Sequence, residues 1–270
     1  MIRLVSWNMA GRDLYGDLRR LGADIALLQE ARLPGPAEAL EVMPADVTSW
    51  STAGMAHRNW RTAVLRLSDK VELGARPTVA IEGAADKADW VINQQGTIAA
   101  ADVEVEGRTV FTAVSVYAVW QGTPEGVIYA DGSAHRILSD LSVLMPSPDH
   151  RLLVAGDWNI LFGYGEHGDS FYKSRYATVF ARAEALGLRF VGPQHPHGLQ
   201  AEPWPDELPR DSRCVPTFHH SRQTPATSTR QLDFVFASQS IADSVSVRAL
   251  NAPDEWGASD HCRVVIDVDV

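Results

Sequence analysis

The chain has 270 residues, 45% of them hydrophobic and 21% charged, which is enough apolar material for a sizeable core and excludes a disordered or fibrous polymer. Asp and Glu number 34 against 24 Lys and Arg, a formal charge of −10. That balance excludes a non-specific nucleic-acid coat but not a nuclease, because a cleft built to hold a metal is itself acidic.

Residues 2–7 form a short apolar run with β-branched members and predict a strand that ends at Asn8. Asp13 can cap a short helix in which Leu14, Leu18 and Leu21 recur at i, i+4 and i+7, with Gly22 closing it. Residues 24–29, DIALLQ, predict a buried strand that delivers Glu30 at its C-terminal end, so the chain opens in βαβ fashion. Period-two patterns over 62–67, 78–81, 96–105 and 109–119 make the middle of the chain sheet, with Gly107 at a hairpin turn. A helix is expected over 135–144, where Ile137, Leu138, Leu141 and Leu144 share a face, and a strand over 151–155 that ends in Gly156-Asp157-Trp158-Asn159. A helix over 176–186 closed by Gly187, a strand over 188–191, an irregular Pro-, His- and Trp-rich stretch over 193–216, and strands over 232–237, 245–250 and 263–268 complete the chain. The irregular stretch is longer than an ordinary connection and is a candidate substrate loop.

No Gly/Ser- or Pro-rich linker divides the sequence, which favours one α/β domain over residues 1–270. Ser6-Trp7-Asn8 and Asp157-Trp158-Asn159 each follow an apolar strand and precede a Gly-containing turn, a faint sign of an internal repeat. The first residues lack the apolar stretch and cleavage site of a signal peptide, and no apolar run approaches the roughly 20 residues of a spanning helix, so a cytoplasmic protein without membrane contact is expected. Cys214 and Cys262 could make one bridge at most, and a reducing compartment is the default.

Asn8, Glu30, the Asp157/Asn159 pair and the Asp260-His261 pair all stand where apolar strands stop. Each alone reads as a turn-former, but jointly they offer the oxygen ligands that a hard divalent cation such as Mg²⁺ takes, and Mn²⁺ suits the same set. The segments SWNMAG, DIALLQE, SVYA, AGDWNI, QLDFVFAS and SDH, in that order and across nearly the whole chain, resemble the motifs of the endonuclease/exonuclease/phosphatase superfamily, the metal-dependent phosphoesterases related to DNase I and exonuclease III. The resemblance implies a DNase I-like four-layer α/β/β/α sandwich, an α/β (α+β) fold of two stacked mixed sheets with the site where strand ends of both sheets meet.

Carried over residue by residue, the resemblance makes Glu30 the main metal ligand, with Asn8 close to the ion and Asp260 a second or water-bridged ligand. Asp157 orients or deprotonates the attacking water, and Asn159, two residues on along an extended strand, steadies the same phosphate or water. A free Asp titrates near ~3.9, so service as a base requires burial or like-charged neighbours, and positioning is the safer role. His261 contacts the phosphoryl oxygen while Asp233 fixes its tautomer. Tyr117 matches the phosphate-side Tyr, and Thr217, grouped with the substrate-binding residues, the Thr that precedes the Asp233 motif and hydrogen-bonds near the metal cluster. The chain departs from the DNA-repair branch after Tyr117, where Ala118-Val119-Trp120 replaces a Pro and a phosphate-contacting Asn. Trp120 then either stacks on a base or closes the pocket. Arg230, with Arg213, Arg222, His219 and His220, forms a polar rim that could grip phosphates.

Two other patterns are weaker. Gly163–Gly168 spells a dinucleotide fingerprint but opens no helix, and Cys214 with His219 and His220 lacks the paired spacing and fourth ligand of a zinc site. The sequence therefore predicts a Mg²⁺-dependent hydrolase, foremost a nuclease acting on DNA or RNA, with a small-molecule phosphatase or phosphodiesterase as the alternative. No protein partner is implied.

Overall fold

In the computed structural model, which describes residues 1–32, 41–44, 61–122, 124 and 128–270, the apolar runs become two six-stranded mixed sheets. In chain order the elements are β1 (Ile2–Asn8), α1 (Tyr15–Arg20), β2 (Ile25–Ala31), β3 (Glu41–Pro44), β4 (Arg61–Arg66), β5 (Glu72–Arg76), β6 (Thr78–Ala80), β7 (Trp90–Ile92), β8 (Ile98–Val105) and β9 (Arg108–Tyr117). Then follow β10 (Gln121–Gly122), β11 (Ile128–Tyr129), α2 (Asp131–Leu141), β12 (Leu152–Asp157), α3 (Ser170–Ala185), β13 (Leu188–Gly192), β14 (Asp233–Ser238), β15 (Val245–Leu250) and β16 (Arg263–Val268).

The first sheet has the order β15-β16-β1-β2-β4-β3 and the second β13-β14-β12-β9-β8-β5. In both, one central pair is parallel, β1 with β2 and β12 with β9, and every other neighbour is antiparallel. Inward residues such as Leu4, Leu27, Val64, Ala113, Leu153, Val235 and Ile266 form the layer between the sheets. Val5, Trp7 and Leu28 face outward and pack with Tyr15 and Leu18 around α1, whereas Val154, Trp158 and Phe236 face outward beneath Ile137 and Leu138 of α2 and Val179 of α3. A strand with apolar neighbours on both faces reads as a continuous apolar run, which is why β1 and β12 stand out in the sequence. The expected four-layer arrangement is the observed one, with Trp7 buried in the cluster around α1 and Trp158 in the one beneath α2 and α3.

One polar cluster interrupts the layer between the sheets. Gln29 Nε2 of β2 donates to Ser115 Oγ of β9 at 2.8 Å, and that hydroxyl donates to the Leu28 carbonyl at 2.8 Å. Both side chains are fully buried.

Local outcomes follow the turn and cap chemistry. The β8–β9 hairpin turns on Glu106 and Gly107, both at positive φ (50° and 72°), as a two-residue primed turn requires. The helix expected over 135–144 begins earlier, at Asp131, and the one expected from 176 begins at Ser170, where Asp169 accepts a hydrogen bond from Phe171 N–H at 2.8 Å. The strand expected over 78–81 is shorter and pairs in parallel with β7 outside both main sheets. Residues 193–216 form no regular element but are anchored by two buried amides. Gln231 bonds Val215 N–H and the Pro193 carbonyl, and Asn251 bonds both backbone groups of Leu199 and the Pro216 carbonyl. Among the described residues no helix is long and apolar enough to cross a membrane.

Candidate active site

The parallel central strands of the two sheets stack, so their C-terminal ends bring Asn8 of β1, Glu30 of β2, Tyr117 of β9 and Asp157 of β12 to one end of the molecule. Within the second sheet Gly156 lets β12 lie close on β9 beside Asp157 and Tyr117, since a Cβ there would lie 2.0 Å from the Val116 carbonyl oxygen. Glu30 sits where the β2–β4 register shifts and has φ 47°, a left-handed bulge that turns its carboxylate away from the strand's alternation. Holding a non-glycine residue there costs of order 1 kcal/mol or more, and Asn159 is held the same way at φ 49°.

Asp157 is buried and fully engaged. Its Oδ2 accepts from Asn8 Nδ2 at 2.9 Å and from Asn159 Nδ2 at 3.2 Å, and its Oδ1 accepts from Asn159 N–H at 3.0 Å. Asn159 reaches it by a tight turn beyond the strand end, not by extended-strand alternation as the sequence suggested, and its amide also donates to the Ala118 carbonyl at 3.0 Å. From the opposite sheet His261 points Nδ1 at Asp233 Oδ2, 2.9 Å away, and Nε2 at Asp157 Oδ2, 3.7 Å away. The imidazole is clamped from behind as well: Trp7 Nε1 donates to the His261 carbonyl at 2.9 Å and the Phe218 ring lies 4.9 Å from the imidazole. Ser259 accepts from His261 N–H at 3.2 Å and donates to the Asn8 carbonyl at 2.7 Å, joining the two loops that carry the site.

Burial pushes the Asp157 carboxyl up to about 8, with Asp233 and Glu30 adding to the rise while His261 and the Asn8 amide oppose it. Burial disfavours the charged His261, but Asp233 and Asp157 outweigh it and hold the imidazolium up to about 10. The site thus holds a cationic imidazole between two carboxyl groups, and burial keeps the Asp157 one largely protonated near neutral pH.

Several expectations need correction. Asn8, expected close to the metal, does stand beside Glu30: its Oδ1 accepts from Ala10 N–H at 2.9 Å, and its amide presents N–H to Asp157 and, at 3.4 Å, to Glu30. Thr217 does hydrogen-bond beside the cluster as expected, its hydroxyl accepting from the N–H groups of Leu232 and Asp233 at 3.0 and 3.1 Å, but it is fully buried and so fixes the start of β14 without reaching substrate. Trp120, expected to stack on a base or close the pocket, is partly buried against the cluster beneath α2 and α3. Arg230 is already paired with Glu166 at 2.6 Å, which leaves its guanidinium committed to protein and not free for phosphate. Tyr117 is buried at the strand end, its backbone in register with Asp157. Asp260 is half-exposed beside the cluster, with its Oδ1 3.2 Å from Ser259 Oγ. Cys214 and Cys262 are both buried free thiols, and Gly165 lets the Gly163–Gly168 turn fold tightly on α3, since a Cβ there would lie 2.1 Å from the Asp169 carbonyl. The sequence reading gave no role to Ser259, Phe218 or Trp7. Ser259 lies inside the SDH segment, and its position next to Asp260 was the available signal.

Asp157, Asp233 and His261 each offer a ligand atom within 4.8 Å of the others, the group among the described residues that could hold a metal ion. A buried Asp233 Oδ1 without a hydrogen-bond partner, with Glu30 and Asp260 half-buried beside it, suits a cation at this end of the molecule.

A family model described as "Endonuclease/Exonuclease/phosphatase family" matches residues 5–261. The chain belongs to the endonuclease/exonuclease/phosphatase family. It is a hydrolase acting on phosphoester bonds. Comparison with curated proteins finds no match. Among solved structures, an AP endonuclease from Archaeoglobus fulgidus shares 16% identity at a TM-score of 0.62, covering 100% of both chains. The endonuclease domain of TRAS1, a telomere-specific non-LTR retrotransposon, shares 15% identity at a TM-score of 0.61, covering 100% of this chain and 99% of that one. A 3′ phosphatase, NExo from Neisseria, bound to product DNA hairpin, shares 19% identity at a TM-score of 0.58, with 100% of both chains covered. At these identities the likeness shows the DNase I-like fold.

Proposed function

We propose that this family member is a divalent-metal-dependent nuclease that hydrolyses phosphodiester bonds in DNA or RNA. The observation that carries the reading is the His261–Asp233 pair from one side of the site facing Asp157 from the other, 3.7 Å away, with Glu30 across the Asn8 amide. Glu30 and Asp260, the half-exposed carboxylates, would hold the ion, which supplies charge to a phosphate on which negative charge builds. Mg²⁺ or Mn²⁺ fits these oxygen ligands. Asn8 keeps Glu30 and Asp157 apart by donating to both. Asp157, oriented by Asn159, positions the water that attacks phosphorus in line. His261, charged and held by Asp233, donates Nε2–H to a non-bridging phosphoryl oxygen, and the leaving oxygen departs opposite the water. The three solved relatives include a structure bound to product DNA and an AP endonuclease, which supports a polynucleotide substrate.

The test is hydrolysis of single-stranded and duplex DNA, RNA, and small phosphate mono- and diesters by wild type and Asp157→Asn, with Mg²⁺, Mn²⁺ or EDTA. Metal-dependent cleavage of polynucleotide that disappears in the variant is the expected result. Intact polynucleotides beside a hydrolysed small ester would overturn it.

A further inference from the structure

Both helices of the second sheet begin at the active-site end. The α2 helix follows β9 after the short strands β10 and β11, and Val119 N–H, two residues past Tyr117, donates to Ser133 Oγ in the first turn of α2 at 2.9 Å. The neighbouring Ala118 carbonyl is the one that receives the Asn159 amide, so a continuous hydrogen-bonded path links Asp157 to the start of α2. The start of α3 joins the same corner through Arg175, whose Nε and Nη2 donate to the two oxygens of Asp131 at 2.9 and 3.1 Å.

This bidentate clamp fixes the plane of a guanidinium that lies over two rings, 4.9 Å from the centroid of Tyr129 and 5.4 Å from that of Phe171. Phe171 is 58% exposed, an unusual position for a large ring beside a catalytic end. Asp131 is buried and gives Arg175 its counter-charge, just as Glu166 does for Arg230 on the same rim. Both guanidinium groups have a carboxylate partner, while Phe171 presents an exposed ring with Lys173 facing solvent on the same turn of α3.

We propose that Phe171, Arg175 and Tyr129 form a subsite for an unpaired nucleobase flanking the scissile phosphate, an inference that rests on the nuclease reading above. A base stacks on such faces without regard to its hydrogen-bonding edges, so the subsite is tolerant of sequence. In a duplex the base is already stacked between its neighbours. The subsite therefore favours single-stranded ends, overhangs or loops over continuous duplex.

The experiment uses a short single-stranded oligonucleotide carrying 2-aminopurine, bound in EDTA to the full chain as wild type, Phe171→Ala and Phe171→Trp. Stacking quenches 2-aminopurine. The expected result is quenching by wild type, a Kd weakened about five- to tenfold in Phe171→Ala, and recovery in Phe171→Trp. With Mg²⁺, the wild-type preference for the intact oligonucleotide over one carrying abasic residues should shrink by the same factor in Phe171→Ala. An unchanged Kd and preference in Phe171→Ala, while wild type cleaves polynucleotide, would overturn the subsite alone. A wild type that cleaves no polynucleotide would overturn both this inference and the nuclease reading.

Discussion

The two sheets share one strand order and one set of strand directions, yet they end in different chemistry. The first sheet closes β1 on an amide, Asn8, and bulges β2 to present Glu30 at the half-exposed side of the site. The second closes β12 on Asp157 and opens β14 with Asp233, both buried carboxylates. The imidazole crosses between them, since His261 leads into β16 of the first sheet but bonds Asp233 of the second. The backbone plan supplies two similar sets of strand ends; side-chain choice makes one set the holder of buried acids and the other the source of their partners.

This asymmetry can be broken from either side. The largest effect is expected from Asp157→Asn or His261→Ala, each of which should lower turnover by about 100-fold or more with an unchanged far-ultraviolet circular dichroism spectrum, because each removes a group that faces the reacting phosphate. Glu30→Gln should raise the Mg²⁺ concentration needed for half-maximal activity by about tenfold or more, and a metal titration with no shift would place the ion elsewhere. Thr217→Val keeps the volume but strands the N–H groups of Leu232 and Asp233. Chemical denaturation should show a loss of about 2 kcal/mol, accompanied by reduced activity as Asp233 loosens.

The smallest effect concerns pH and isolates the Asp157–His261 pair. Asp157 and His261 both have folded-state pKa values raised above their unfolded ones, to about 8 and about 10, so the stability they contribute is full below the unfolded values and is lost as pH rises through the folded ones. In EDTA the melting temperature should therefore decline from about pH 4, through Asp157, to about pH 10, where the His261 contribution ends. Asp157→Asn should flatten that decline while abolishing activity, and a divalent cation should offset it in wild type.

What the sequence revealed, and what it hid, has a physical pattern. β1, β2 and β12 were legible because strands covered on both faces are apolar at nearly every position, β9 because its residues alternate, and the site residues because they stand at the ends of those strands. β5 was not: its ELGAR sequence lies at a sheet edge, charged and half-exposed, and Gly74 at its centre packs on Asp102 of β8. The first turn of α3 was hidden for a related reason, since Ser170, Phe171 and Lys173 face solvent and carry no apolar period. At the site the residue types were right, while the orientation of the Asn8 amide, the burial of Thr217 and the commitment of Arg230 to Glu166 depend on partners tens of residues away. No local pattern encodes them.

The polar contact between Gln29 and Ser115 sets a tolerance. Two greasy surfaces pressed together resist being pulled apart far more than they resist a lateral offset, because dispersion and burial change little when one apolar patch replaces another. A single amide-to-hydroxyl contact in that seam is directional, and an offset that breaks it costs about 1 kcal/mol, leaving the Gln29 amide only the Leu27 carbonyl and the Ser6 hydroxyl of its own sheet. It works as a locating pin, one residue behind Glu30. Because the Asn8–Asp157 and His261–Asp233 contacts cross the same seam, the pin sets how finely two independently folded surfaces must be aligned for a phosphate to find acid, amide and imidazole at once.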